Sequence, residues 1–267
     1  MPDAAREINA LQRVLFAASL VVGSRAIYLR DRLLGRMRLA PAPELALTPL
    51  TIASGRNQLD AVFAAPAQQP TRGTVLICHG IGEVVQQWLP VQQRLAERGV
   101  ASLVFDYSGY GRSTGWPMPA QLEQDAIAAF EQLRTLTPGP ISLLGFSLGT
   151  GIVPAILDRV RAERIVLCAS FTSFRAAARR VGFVPPLSAL VPHVWNAEQP
   201  LRAGAQKVLL VHSTHDRLFP IAMAKQLADW CGERAELRIV EGLRHNEPFY
   251  NATAEYWHPI AEFIAEE

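Results

Sequence analysis

The strongest constraint on this chain is an alternation that begins near residue 47. Short, continuous apolar runs take turns with segments of helical periodicity. TVLICHG, VASLVFDYSGYG, ISLLGF, RIVLCAS, KVLLVHS and ELRIVEG read as strands. Between them, WLPVQQRLAERG is helical and stops at Gly99. PAQLEQDAIAAFEQLRTL sets Leu122, Ile127, Phe130 and Leu133 on one side, and a further helix is expected from Leu148 to Arg161. Runs that are apolar at every position, rather than at alternate ones, belong to strands covered on both faces. Strand and helix in strict alternation give a parallel sheet between two helical layers. LTPLTIASG and LDAVFAAP read as two earlier strands. The expectation is an α/β fold with a mostly parallel sheet.

With 267 residues, 49% of them hydrophobic, the chain is long enough for one sizeable core. A net charge of +2 gives no reason to expect nucleic acid as a partner. The three cysteines, Cys78, Cys168 and Cys231, have neither zinc spacing nor the density of a disulfide framework. They read as core thiols of a reduced compartment.

Residues 1–40 stand apart. VLFAASLVVGS is too short for a bare membrane span of roughly 20 residues. Ile8, Leu11, Leu15, Ala18, Val22, Ala26, Leu29 and Leu33 fall at helical spacing, with Arg25, Arg32 and Arg36 on another face. Three readings stand: a shallow or short membrane anchor, a helix packed on protein, and a signal peptide, the last without a small-x-small cleavage site. Five arginines follow the apolar centre and two precede it, a bias that would keep the remaining chain, residues 41–267, on the cytoplasmic face of a membrane. APAPELALTP, residues 40–49, reads as a linker.

The serine in SLLGFSLGTG is fenced by glycines. Gly145-Phe146-Ser147-Leu148-Gly149 is G-x-S-x-G between an expected strand and an expected helix, the context of a nucleophile elbow. A serine hydroxyl needs a base, and the base an orienting acid, following in the order Ser, acid, His on this kind of sheet. Asp216 lies just past KVLLVHS, and His245 just past ELRIVEG. Both fall at the same sheet edge as Ser147. His212 and His215 lie too close to the acid to fit the order, and Glu241 is only four residues from His245. Asp106 and His79 read as loop braces, Asp125 as a solvated or capping residue, and His193 and His258 as surface or core residues. Donors for an oxyanion are expected from the N–H groups of Leu148 and Ile81.

On CHGIGE, FDYSGYGRSTG, GFSLGTG, HSTHDRLFP and GLRHNEP, the chain from about residue 47 to 265 resembles the alpha/beta-hydrolase superfamily. The similarity is to its serine esterase, lipase and peptidase-like branch, including bud-emergence-like and acyl-protein thioesterase hydrolases. The resemblance implies an alpha/beta-hydrolase fold with Ser147 as nucleophile, Asp216 as acid, His245 as base, and Ile81 and Leu148 as amide donors. Ser213, where many relatives carry glycine, and Pro154, inside the helix after the elbow, depart from the pattern without touching that chemistry.

Residues 170–204 are expected to form a small cap. Phe171, Phe174, Phe183, Val184, Leu187, Leu190, Val191 and Trp195 make it apolar, suited either to a hydrophobic acyl group or simply to packing on the sheet. Arg175, Arg179 and Arg180 would face an anionic head group or solvent. No phosphate loop, metal cluster or dinucleotide fingerprint is present, so no cofactor is implied. The expected substrate is a carboxylic ester or thioester. A peptidase-like hydrolase of aminoacyl bonds, and a non-catalytic binding protein on the same fold, are the alternatives. A dehalogenase would carry aspartate at position 147.

Overall fold

The computed structural model describes residues 45–181 and 191–266, together with Leu33. The expected N-terminal helix and residues 182–190 of the expected cap therefore lie outside the described residues. Among the described residues, no helix is long and apolar enough to cross a membrane.

The chain opens with a hairpin, β1 (Leu45–Ser54) and β2 (Asn57–Pro66), at one side of the sheet. The linker expected over residues 40–49 thus gives way to strand at Leu45. Pro49 sits within β1, which a strand tolerates at an edge, where one row of N–H groups has no partner to serve. Six parallel strands follow: β3 (Gly73–Cys78), β4 (Val100–Phe105), β5 (Ile141–Phe146), β6 (Ala162–Cys168), β7 (Lys207–Ser213) and β8 (Ala235–Val240). The order across the sheet is β1-β2-β4-β3-β5-β6-β7-β8. The central strands are buried at every position, as their unbroken apolar runs require.

Alternate residues of these strands feed two cores. Leu76, Leu103 and Leu143 pack with Leu122, Phe130 and Ile152 on one face. Val75, Val104 and Leu144 pack with Trp88, Val91, Trp257 and Ile260 on the other. Burying each such aliphatic or aromatic side chain contributes about 1.5–3 kcal/mol. The covering helices are α1 (Leu89–Ala96), α2 (Pro119–Leu136), α3 (Gly149–Ile156), α4 (Phe174–Arg180), α5 (Glu198–Ala203), α6 (Ile221–Cys231), α7 (Glu247–Tyr250) and α8 (Ala254–Ala265).

Helix α3 ends at Ile156, short of the Arg161 expected from periodicity. Pro154 has no N–H for the carbonyl of Thr150, and the chain beyond it tightens. Leu157 N–H bonds the carbonyl of Pro154, and Arg159 N–H that of Ile156. The three cysteines are free and buried. Burial pushes the Cys78 and Cys168 thiols up to about 12, so both are inert packing groups.

Candidate active site

Strand β5 ends at Phe146, and the chain turns at Ser147 into α3. Ser147 has a φ of 49°, a left-handed conformation unusual for a residue with a side chain. Three hydrogen bonds hold it. Its N–H donates to the carbonyl of Cys168 at 3.0 Å, and its carbonyl accepts from Thr150 N–H at 3.0 Å and Thr150 Oγ1 at 2.6 Å. The two glycines are explained by contact. A Cβ on Gly145 would stand 2.6 Å from the carbonyl oxygen of Gly149, and one on Gly149 1.8 Å from that of Cys78. The turn is so tight that helix α3 begins against strand β3.

Asp216 and His245 come to this serine from the loops after β7 and β8. His245 Nε2 lies 2.8 Å from Ser147 Oγ, and His245 Nδ1 lies 2.7 Å from Asp216 Oδ2. The carboxylate can only accept, so Nδ1 carries the proton and Nε2 is left to accept from the serine hydroxyl. Asp216 is itself oriented: its Oδ1 accepts from the N–H groups of Leu218 at 2.8 Å and Phe219 at 2.9 Å. Burial raises the Asp216 carboxyl. The bond to His245, the charge of His245 and those two N–H groups outweigh that effect and hold it below its ordinary value. The rings of Phe219 and His245 meet edge to face at 5.1 Å, and Phe171 packs on Phe219 at 5.4 Å. The residues singled out in sequence as Ser147, Asp216 and His245 are therefore brought within hydrogen-bond reach in one continuous chain.

The N–H groups of Leu148 and Ile81 have no acceptor among the described residues. Leu148 stands at the N-terminus of α3, where the helix dipole favours negative charge. The loop bearing Ile81 is fixed by a residue that sequence reasoning did not single out. Glu83, buried, accepts from Gly80 N–H at 2.7 Å and from Trp88 Nε1 at 3.0 Å. A carboxylate three residues past a glycine that ends an apolar strand is the signal that marks it, because at that spacing it can close back on the loop's own backbone.

The other candidates fall elsewhere. His79 Nδ1 donates to the carbonyl of Gly80 at 2.8 Å, and its Nε2 faces Asp106 Oδ1 at 3.7 Å. Asp106 also accepts from Val85 N–H at 2.9 Å, so both residues brace the loops. Asp125 is not solvated, as its helical position suggested. It is fully buried and accepts from Ser54, from Gln121, and from both N–H and Oγ of Ser108. A polar position on the inner side of α2 is filled because the β4–α2 loop has backbone donors to satisfy.

His212 Nε2 donates to the carbonyl of Phe219 at 3.0 Å, whereas exposed His215 lies beside Thr214. Glu241 accepts from Thr214 and does not meet His245. His258 pairs with Glu97 at 2.8 Å. His193 lines a cavity of about 640 Å³ with Glu123, Pro154 and Trp195, none of them part of the serine's chain. Ser213, read from sequence as remote from the chemistry, joins the two loops that carry Asp216 and His245: its Oγ donates to the carbonyl of Leu243 and accepts from His215 N–H. Of the expected cap, Phe171 and Trp195 are buried, and Arg175 donates to the carbonyl of Val191, while Arg179 and Arg180 are exposed. Among the described residues no cluster of His, Cys, Asp and Glu could hold a metal ion.

A parallel sheet with a serine at a strand-to-helix elbow and an acid and a histidine on later loops of the same edge defines the alpha/beta-hydrolase class. Residues 69–206 match the family described as Serine aminopeptidase, S33, and the chain belongs to that family. It is 26% identical over 218 residues to alpha/beta hydrolase domain-containing protein 17C of Mus musculus, a match covering 79% of this chain and 65% of that protein. The protein of the same name from Xenopus tropicalis is 27% identical over 204 residues, 74% of this chain and 63% of that one. The matches thus span less than two thirds of the length of these relatives. Among solved structures, an alpha-beta hydrolase from Vibrio vulnificus superposes with a TM-score of 0.72 at 19% identity, covering 98% of this chain and 96% of that one. A Pyrococcus furiosus esterase superposes with a TM-score of 0.68 at 18% identity, covering 84% and 95%. The chain has the fold of this class.

Proposed function

We propose that the protein is a serine hydrolase that cleaves carboxylic esters or thioesters of a hydrophobic acyl group through an acyl-enzyme on Ser147. The observation that carries this reading is the unbroken chain from Ser147 Oγ through His245 to Asp216. His245 Nε2 takes the serine proton as Oγ bonds to the acyl carbon. The oxyanion is held by the N–H groups of Leu148 and Ile81. The intermediate collapses, the carbon–oxygen or carbon–sulfur bond to the leaving group breaks, and His245 returns the proton to that group. Water then repeats the sequence on the acyl-serine and releases the acid. Asp216, kept ionised, stabilises the imidazolium at both stages. The apolar flank of Phe171 and Phe219 beside His245 supports a hydrophobic acyl group.

The family description supports a second reading, cleavage of an aminoacyl bond by the same residues. The sequence of residues 1–40 supports retention of the protein at the cytoplasmic face of a membrane. Labelling by a fluorophosphonate probe tests the nucleophile: wild-type protein takes the label and Ser147→Ala does not. A panel of acyl esters, acyl thioesters and aminoacyl amides of graded length then separates the two readings. Equal labelling of both proteins would remove Ser147 from its role.

A further inference from the structure

The loops after β3 to β8 all leave the carboxyl edge of the sheet, where Ser147 lies. The β1–β2 turn joins them, because β2 runs antiparallel to β4 and Asn57 Nδ2 reaches Ser108 Oγ at 2.9 Å. Along the helices several arginines are matched: Arg94 with Glu97, Arg134 with Glu131, Arg159 with Glu123, and Arg202 with Glu198. Exposed Arg72, Arg161 and Lys207 at the opposite edge have no carboxylate partner among the described residues, and no large exposed apolar side chain accompanies them there. At the carboxyl edge, exposed Arg56, Arg180 and Arg217 have no carboxylate partner among the described residues. The exposed or partly exposed carboxylates there are already engaged: Glu241 by Thr214, Glu247 by the backbone N–H and guanidinium of Arg244, and Asp60 by Arg112. The carboxylates of Asp106 and Asp216 are turned inward and buried.

The same edge holds two of the four large apolar side chains most exposed among the described residues. Trp116 is 65% exposed and Val181 53%. Trp116 lies in the loop after β4, which is tied to β2 through Thr114 N–H and the carbonyl of Gln58. Val181 ends α4, after β6. In the strand order they fall on opposite sides of β5 and its serine. An indole and a valine projecting among unmatched guanidinium groups fit a lipid interface, where the apolar groups enter the head-group layer and the arginines meet phosphate.

We propose that this edge docks on an anionic phospholipid bilayer, with Trp116 and Val181 inserted on either side of Ser147 and with Arg56, Arg180 and Arg217 on lipid phosphates. The residues that form this surface are not among residues 1–40, and the proposal does not rest on the acyl-enzyme reading. Docking in this pose sets the serine over the membrane, so a substrate carried by lipid or lipid-anchored protein enters without crossing bulk water.

The test is co-sedimentation of the full chain with phosphatidylcholine vesicles, with and without phosphatidylserine. Partition is expected to depend on phosphatidylserine and to weaken with salt. Trp116→Ala and the double variant Arg180→Glu/Arg217→Glu should each lower it about fivefold or more. Reversal of Arg134 and Arg202 on the opposite edge should leave it unchanged, and Ser147→Ala should partition as wild type. Lipids brominated in the acyl chains should quench tryptophan emission of the wild type more than that of Trp116→Phe. Wild-type partition in the edge variants would place binding in residues 1–40 and overturn the proposal. Loss with the arginines but not with Trp116, and no difference in quenching, would show an electrostatic contact without insertion and overturn the docked pose equally.

Discussion

The hydroxyl of Ser213, at the end of β7, donates a hydrogen bond to the backbone carbonyl of Leu243, two residues before His245. It also accepts from the N–H of His215, one residue before Asp216. One short side chain thus ties the acid loop to the base loop. Ser213→Ala removes the tie and leaves the Leu243 carbonyl without its partner, a loss of about 1 kcal/mol. The expected result is a kcat about fivefold to tenfold lower with KM nearly unchanged, because the imidazole is less well held rather than the substrate less well bound. Ser213→Thr should restore most of it. Steady-state kinetics on a soluble ester decides; equal kcat in Ser213→Ala and wild type would show that the tie is irrelevant to catalysis.

The proposed roles predict unequal losses at the acid and the base. His245→Ala should be nearly as damaging as Ser147→Ala. Asp216→Asn should fold and lose roughly 10³–10⁴-fold in kcat, because the imidazole loses its orienting acceptor and the negative charge that stabilises its protonated form. The Asp216 carboxyl, held below its ordinary value against the effect of burial by His245 and the Leu218 and Phe219 N–H groups, is the charge that Asp216→Asn removes. Retained activity in His245→Ala with loss in His215→Ala would reassign the base.

Gly149 is required by space alone. A Cβ there would stand 1.8 Å from the carbonyl oxygen of Cys78, a backbone atom that cannot turn away. Gly149→Ala must push α3 off β3 and distort the elbow. The expected outcome is a melting temperature several degrees lower and no fluorophosphonate labelling, with the loss in labelling exceeding that in stability. A fully stable, fully labelled variant would contradict the close approach.

The pair His79–Asp106 makes stability depend on pH. Burial pushes the Asp106 carboxyl up to about 8, against the opposing bond from Val85 N–H, and pushes the His79 imidazole down to about 4. Folded Asp106 keeps its proton across an interval in which the unfolded carboxyl, with a pKa of ~3.9, has lost it. Its contribution is full below ~3.9 and lost as pH rises to about 8. Folded His79 is neutral above about 4, whereas the unfolded imidazole takes a proton below ~6.5, so stability rises with pH over that interval. The two oppose one another below ~6.5, and Asp106 acts alone from there to about 8. In that window urea unfolding should show stability falling by up to about 1.4 kcal/mol per pH unit. Asp106→Asn, which carries no titratable proton, should lose that slope; an unchanged slope would mean that Asp106 is ionised in the folded protein.

The sequence by itself determined the strand–helix alternation, the strict burial of the central strands and the turn at Gly145-Phe146-Ser147-Leu148-Gly149. These follow from local pattern: apolar continuity fixes which strands are covered on both sides, and glycine marks where backbone must pass close to backbone. The positions of Asp216 and His245 were legible because a parallel sheet sends every loop after a strand to one edge. What only the tertiary structure decided lies in contacts between segments distant in sequence. Asp125 looks like a solvated helical residue until Ser54 and Ser108 are brought against it. Glu83 and Ser213 look incidental until the loops they fasten have folded back on them. The early end of α3 needed Pro154 to be weighed against periodicity. A hydrogen bond's partner across many residues is set by the packing of the sheet and its helices, and no local pattern carries that information.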